Sequence, residues 1–195
     1  MKTTILIDYD CLEKAGKELG IDIDIIEMIE FLKELHPESE FQNVYAFVGI
    51  NKKIPHAKDK TVDDLWRAKC IVRTFEGDNL GTNFVSDSSQ AITLDTMKSV
   101  YENGTTNVLF VANSNKLSNL ATLLKEKGVV VETIFYGSLV DYELAVKSEG
   151  FIDLENFVSD DNPSDSDDEN LEEDDDLTQD DHEITEKEFK ERDEE

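Results

Sequence analysis

Five short segments rich in apolar residues recur between residues 3 and 137, and polar or amphipathic segments separate them. Their sequences are TTILIDYD, FQNVYAFVGI, CIVRTFEG, NVLFVAN and VVVETIFYG. Apolar runs with little polar alternation are typical of parallel strands that are covered on both faces. Because helical signals lie between the runs, the pattern predicts an α/β fold: a three-layer α/β/α sandwich with a mainly parallel central sheet.

The segments between the predicted strands carry the helical signals. IDIDIIEMIEFLKELH has apolar residues at helical spacing, and Pro37 stops it. VSDSSQAITLDTMKSVYENG predicts a second long helix, which Ser86 can cap and Asn103-Gly104 can end. VDDLWRAK, KLSNLATLLKEKG and DYELAVKSEG predict shorter helices, whereas GDNLGTNF predicts a loop and FIDLEN a sixth strand at the sheet edge.

Charge divides the chain into two parts. Residues 159–195 hold 20 acidic and 3 basic residues, whereas residues 1–158 hold 26 acidic and 16 basic residues. The few apolar residues of the second part cannot build a core. We therefore predict a globular domain over residues 1–158 and a disordered acidic tail over residues 159–195. Such tails are typically solvated, and they can also bind a basic protein partner.

Cysteine usage and hydropathy limit the cellular location. Cys11 and Cys70 have neither a CxxC spacing nor a nearby histidine, so free thiols are expected in place of a zinc site or a redox motif. No apolar run approaches the length of a membrane span. The first ten residues, MKTTILIDYD, lack the architecture of a signal peptide. We expect a cytoplasmic protein with no membrane partner.

Polar residues follow several of the predicted strands. Ligand sites in parallel sheets lie beyond the carboxyl ends of the strands. The residues at those ends are Asp8 and Asp10, Asn51, and Asn113 with Asn115. Asp87, near the start of the second long helix, is a further candidate. Asp87 also fits a helix-terminal acid favoured by the helix dipole, and the two asparagines after the fourth strand also fit turn or cap residues.

The order of these motifs resembles the NYN domain of the LabA/DUF88 type, a branch of the PIN-like nuclease superfamily. The resemblance covers about residues 3–157 and is most specific over residues 108–157. There the family has a strand, SGDSDF, a helix ending in Gly, a strand, and a Leu-containing helix before an FIDL-like strand. The resemblance implies a metal-dependent ribonuclease, in which carboxylates hold Mg²⁺ or Mn²⁺ ions that activate water. It assigns Asp8, Asp87 and Asp95 to the acids of that site.

The sequence departs from the family at the SGDSDF motif, which aligns with residues 111–116. Both acids of the motif are amides here, Asn113 and Asn115, and Lys116 adds a positive charge. Asp10 is an additional acid that can compensate in part. An amide oxygen can bind a cation but brings no charge, so we expect weak or absent binding of Mg²⁺ or Mn²⁺. Reduced or absent hydrolysis follows, with a role in RNA-related or protein binding.

Two enzymatic alternatives stay open. The first is an active Mg²⁺- or Mn²⁺-dependent RNA endonuclease, with catalytic residues Asp8, Asp10, Asp87 and Asp95 and metal ligands Asp8, Asp87, Asp95, Asn113 and Asn115. The second is a phosphatase similar to the haloacid dehalogenases, whose nucleophile motif resembles Asp8-Tyr9-Asp10-Cys11. Ser114 and Lys125 would supply the other groups of that site.

RNA binding requires a basic footprint, because phosphate contacts dominate affinity. The domain offers only a modest set of basic side chains, which can instead balance nearby acids: Lys52, Lys53, His56, Lys58, Lys60, Arg67, Lys69 and Arg73. Trp66 beside Arg67 and Lys69 can stack on a base. We expect Trp66 in the core instead.

Overall fold

The structure, a computed structural model of the chain, describes residues 1–80 and 83–159. The described strands are, in chain order, β1 Lys2–Asp8, β2 Glu40–Ile50, β3 Ile71–Glu76, β4 Asp78–Leu80, β5 Asn83–Val85, β6 Asn107–Val111, β7 Val130–Phe135 and β8 Gly150–Asp153. The described helices are α1 Tyr9–Leu19, α2 Ile25–Leu35, α3 Asp59–Arg67, α4 Ser89–Asn103, α5 Ser118–Glu126, α6 Tyr142–Lys147 and α7 Leu154–Ser159.

The main sheet confirms the predicted α/β architecture. Its six strands are all parallel and lie in the order β3-β2-β1-β6-β7-β8. Side chains alternate between two cores, one on each face. Ile5 and Ile7 of β1 pack with buried residues of α1, α2 and α3, whereas Leu6 packs with buried residues of α4, α5 and α6. Helices therefore cover both faces of the sheet, as near-continuous apolar strands require.

The strand order places a potential site in the middle of the sheet. From β1 the chain builds outward to β2 and β3, and it then returns to the other side of β1 to add β6, β7 and β8. In sheets of this kind the crevice for ligands opens where the order reverses, at the carboxyl ends of the two central strands. Here those strands are β1 and β6, and Ile7 pairs with Val111 at their ends.

The prediction that the first strand extends through Asp10 is wrong. The strand ends at Asp8, whose carboxylate accepts a hydrogen bond from the Cys11 amide (3.2 Å) and caps α1. Gly20, with φ of 71°, ends this helix. Ala15 and Gly16 contribute much of the face that α1 buries. The buried residues of α1 lie on one face, but because most of them are small and the rest of the helix is polar, its overall apolar signal is weak, and the sequence analysis assigns no helix to this segment.

Trp66 does not lie in the core. It is 60% exposed on α3, whereas the preceding residue, Leu65, is 2% exposed and anchors that helix to the sheet. Adjacent helical positions point about 100° apart, so only one of the two can face inward. The basic neighbours Arg67 and Lys69 are also exposed.

Three other local predictions need correction. The GDNLGTNF segment contains the antiparallel strands β4 and β5 in place of a plain loop. The second long helix begins at Ser89, because the Ser86 hydroxyl bonds to Asp10 and does not cap the helix. Residues 21–24 precede α2, which Asp24 caps. The predicted disordered tail falls on residues that, beyond Ser159, lie outside the described part of the chain.

Candidate functional site

A cavity of about 390 Å³ opens at the carboxyl ends of β1 and β6. Its charged lining residues are Asp8, Asp10, Glu13, Asp87, Lys14 and Lys58. Hydroxyl and amide groups complete much of the wall: Ser86, Ser89, Ser114 and Asn113. The cavity thus brings together four of the six residues proposed for the nuclease site, and Asp95 and Asn115 do not line it.

Asp8 lies at the end of β1 and is partly buried. Its Oδ1 accepts a hydrogen bond from the Cys11 amide, and its Oδ2 accepts one from the Ser88 hydroxyl at 2.5 Å. Burial raises the pKa of Asp8 above its ordinary value, although the two hydrogen bonds oppose that shift. The nearby carboxylates of Asp10 and Asp87 add to the rise. The ionised form of Asp8 therefore lowers the stability of the folded protein.

Asp10 joins three segments of the chain. Its Oδ2 accepts hydrogen bonds from the Gly49 amide (2.7 Å) and the Ser86 hydroxyl (2.8 Å), and its Oδ1 lies 3.4 Å from Lys58 Nζ. Any Cβ at position 49 would lie 2.5 Å from the Ser86 Cβ and 2.6 Å from Asp10 Oδ2. Glycine is therefore required where β2 approaches Asp10. These contacts fix Asp10 as a structural link as well as a cavity residue.

Lys58 brings a positive charge to the cavity wall. Its ammonium group donates to Glu13 (2.8 Å), faces Asp10, and lies 5.7 Å from the centre of the Tyr9 ring. Its side chain is 24% exposed. Burial disfavours the charged form, yet the two carboxylates raise the pKa of Lys58 above its ordinary value. Lys58 therefore remains a cation at neutral pH.

Asp87 has a lysine partner of its own. Lys116 donates to Asp87 Oδ2, and the Ser89 amide donates to its Oδ1 at 3.1 Å. The hydrogen bond from Lys116 lowers the pKa of Asp87 below its ordinary value, and Ser89 adds to the effect. The side chains of Asp87 and Lys116 are 52% and 64% exposed. This ion pair is therefore open to solvent, unlike the one at Asp10.

The hydrogen bonds of Asn113 explain why this position carries an amide. Its Nδ2 donates to the Leu139 carbonyl (2.7 Å), and its Oδ1 accepts from the Asp141 amide. One side chain thus supplies both a donor and an acceptor to the loop between β7 and α6. A carboxylate could accept from Asp141, but it could not donate to Leu139. Asn115, in contrast, is exposed at the start of a short 3-10 turn.

Asp95 lies away from the cavity on α4. Its Oδ2 accepts a hydrogen bond from Arg73 Nε on β3 at 3.0 Å, and its side chain is 15% exposed. The Arg73 guanidinium also lies 5.5 Å from the centre of the Tyr45 ring. Asp95 therefore helps to fasten α4 to the edge of the sheet.

The cavity does not fit a divalent metal ion well in this arrangement. Each oxygen of Asp8 accepts a protein hydrogen bond, and Asp10 and Asp87 each face a lysine. Within residues 1–80 and 83–159, no group of three or more His, Cys, Asp or Glu side chains is arranged to hold a metal ion. Hard cations need several free oxygen ligands, and lysines already pair with each carboxylate of the lining except Asp8.

The two cysteines and the groups of the phosphatase alternative lie in different parts of the fold. Burial raises the pKa of the Cys11 thiol to about 12, so it is not a thiolate nucleophile at neutral pH. Cys70 is buried, and both cysteines are free. Ser114 lines the cavity and pairs with the Ser89 hydroxyl (2.9 Å), but Lys125 does not line it. Asn51 accepts from the Lys53 amide and also lies outside the lining.

Sequence reasoning missed Lys58, Ser86 and Ser88 as parts of the site. Lys58 comes from the turn before α3, far along the chain from the acids that it contacts. Of the serines in VSDSSQ, the sequence analysis assigns a role only to Ser86, as a helix cap, whereas Ser86 and Ser88 donate to Asp10 and Asp8. A useful signal was the density of hydroxyl groups beside Asp87, because buried carboxylates require donors.

Comparison with known proteins supports the fold alone. The chain matches no family model and no curated protein. It is similar to the crystal structure of a protein of unknown function from Vibrio parahaemolyticus, with a TM-score of 0.63 and 16% sequence identity. The match covers 78% of this chain and 92% of that chain. Within the described residues, no helix has the length and apolar character needed to cross a membrane.

Proposed function

We propose that this chain is a binding protein with a nuclease-like α/β fold that does not hydrolyse RNA. The observation that carries the proposal is the pairing of Lys58 with Asp10 and of Lys116 with Asp87. These lysines neutralise acids that a metal-dependent nuclease would need as negative ligands. Membership of the NYN/PIN-like group is part of the proposal. The placement of Asp8 and Asp87 at one cavity supports it.

The two pairs would oppose metal binding to different degrees. A divalent ion at Asp10 would have to displace an ammonium group that is half-buried and also bonded to Glu13. A divalent ion at Asp87 would compete only with an exposed pair, and salt screens such pairs. Asp8 alone brings one charge, and each of its oxygens already accepts one hydrogen bond. Asn113 cannot compensate, because the loop before α6 uses its amide.

Charge favours a basic protein as the partner over RNA. The whole chain carries a formal net charge of −27, and the first 158 residues hold ten more acids than bases. A large negative charge repels phosphates and steers cationic partners toward the surface. We also propose a cytoplasmic location, which the two free thiols support.

The test is a cleavage assay on labelled single-stranded RNA with the full-length protein, in Mg²⁺ and separately in Mn²⁺. Asp8→Asn is the matched variant, because it removes one charge from the cavity with little change in shape. We expect no cleavage by the wild-type protein above that of the variant. Metal-dependent cleavage that Asp8→Asn abolishes would overturn the proposal and support the endonuclease alternative.

A further inference from the structure

A second concave surface lies between the start of α2 and the side of α3, and we call it the α2–α3 groove. Its volume is about 520 Å³, within the range of roughly 300–1,000 Å³ that holds small ligands or anchoring side chains. From α3 and the residue after it, Thr61, Asp64, Leu65 and Ala68 line it at helical spacing, and Arg67 also contributes to the lining. Residues 22–26 line the opposite side, and Tyr9 contributes from α1.

The groove combines apolar and acidic side chains. Its apolar members include Ile23, Ile25 and Ile26, and Ile26 is 46% exposed. Asp22 and Asp64 are exposed acids of the same lining. Arg67 also lines the groove and lies 3.5 Å from Asp64, whereas Asp22 forms no ion pair among the described residues. The lining thus holds three acids, Asp22, Asp24 and Asp64, against one base, and the groove offers apolar contact area together with excess negative charge.

We infer that the α2–α3 groove binds a segment of a partner protein that carries both basic and apolar side chains. Its apolar side chains would pack on Ile26 and the neighbouring isoleucines, and its lysines or arginines would pair with Asp22 and Asp64. This inference concerns a surface separate from the cavity beside Asp8. It does not depend on the proposal that the protein does not hydrolyse RNA.

Charge excludes the other natural occupants. The chain's own residues 159–195 hold 20 acids and 3 bases, and the acids of the groove would repel them. RNA phosphates would meet the same repulsion. A second copy of this chain would bring another net charge of −27. A basic partner instead gains from the overall field during approach and from the groove acids after docking.

The test measures fluorescence anisotropy of a labelled peptide of alternating lysine and leucine, titrated with the full-length protein. Ile26→Gln removes apolar contact from the groove. Leu35→Gln is its matched control, because Leu35 is also 46% exposed on α2 but does not line the groove. Asp22→Asn combined with Asp64→Asn removes groove charge. Asp63→Asn combined with Glu30→Gln removes equal charge from exposed positions outside the lining.

We expect each groove variant to weaken peptide binding by about tenfold and each control variant by less than about twofold. Equal weakening by groove and control variants would overturn the inference and assign the binding to general charge or to residues 159–195. Absence of binding to the wild-type protein would also overturn it. If Ile26→Gln instead dissociates a dimer in sedimentation, the occupant is a second copy. Circular dichroism of every variant separates lost binding from lost folding.

Discussion

The cavity has two sides whose polar residues differ in environment. We call Asp8, Asp10 and Asn113 the inner wall, and Asp87 together with Asn115 and Lys116, which lie beside the cavity without lining it, the outer rim. Each inner-wall side chain is at least half-buried and forms a hydrogen bond to another segment of the chain: Asp8 to the Ser88 hydroxyl, Asp10 to the Gly49 amide and Asn113 to the Leu139 carbonyl. The outer-rim side chains are exposed. The same residue types therefore hold the fold together on one side and remain open to solvent on the other.

The largest expected effect is at Asp10. Asp10→Ala removes the acceptor for the Gly49 amide and the Ser86 hydroxyl, and it leaves the half-buried Lys58 with one partner fewer. We expect the free energy of unfolding to fall by about 3 kcal/mol. Asp87→Ala on the outer rim should cost less than about 1 kcal/mol. Urea unfolding of the full-length variants measures both, and equal losses would contradict the division into wall and rim.

Asn113 on the inner wall and Asn115 on the outer rim allow the same substitution to be compared on the two sides. Asn113→Asp places a carboxylate against the Leu139 carbonyl, which it cannot satisfy, and brings a negative charge toward Asp8. We expect a loss of about 2 kcal/mol in the free energy of unfolding. Asn115→Asp makes the same chemical change at an exposed position and should stay within about 0.5 kcal/mol. Similar values for the two variants in urea unfolding would show that the Asn113 contacts contribute little.

Substitution of Asp8 should change the stability in the opposite direction from substitution of Asp10 or Asn113. The pKa of Asp8 is raised, so its contribution to stability is fully present below the ordinary carboxyl pKa and is lost as pH rises through the raised value. At neutral pH, Asp8→Asn removes the buried charge, and its amide oxygen can still accept from Cys11. We expect the variant to be more stable than the wild type at neutral pH, by less than Asn113→Asp costs.

The measurement for Asp8 is thermal unfolding across a pH series. The advantage of Asp8→Asn should shrink as pH falls and vanish in acid, where the wild-type carboxyl is protonated. A variant that is less stable than the wild type at neutral pH would mean that the hydrogen bonds to the carboxylate outweigh its burial.

The smallest effect belongs to Lys116. Because Lys116 lowers the pKa of Asp87, the pair contributes stability above the ordinary carboxyl pKa, and this contribution is lost as pH falls through the lowered value. The pair is exposed, so Lys116→Ala should cost less than about 1 kcal/mol. It should also raise the pKa of Asp87 in an NMR titration. An unchanged titration of Asp87 would contradict the pairing.

The sequence predicts the sheet well because its strands are buried on both faces. Continuous apolar runs such as NVLFVAN leave few alternatives to a central strand, and β6 is buried along its whole length. Because ligand sites in parallel sheets lie beyond the carboxyl ends of the strands, the sequence also places Asp8 and Asn113 at one site. Helix α1 escapes prediction because Ala15 and Gly16 carry little of the hydrophobic signal that marks a packed helix.

The partners of the site residues could not be predicted in the same way. Lys58 reaches Asp10 across 48 positions of sequence, and Arg73 reaches Asp95 from a different element. Such pairs depend on tertiary structure and leave no local pattern. Asn113 illustrates the difference, because the resemblance to a nuclease family implies that an acid has been replaced by an amide at this position. Its contacts with Leu139 and Asp141 show an amide that the loop requires.

The central claim is that lysines and hydrogen bonds already engage the cavity carboxylates, which therefore do not take up a divalent ion. The most direct measurement is an Mn²⁺ titration of the ¹⁵N-labelled full-length protein, followed by paramagnetic broadening of individual amide signals. This readout separates the cavity from nonspecific binding by the acids of residues 159–195. The account predicts no saturable broadening centred on the amides of Cys11, Ser89 and Asn113. Saturable broadening at those amides that Asp8→Asn abolishes would contradict it.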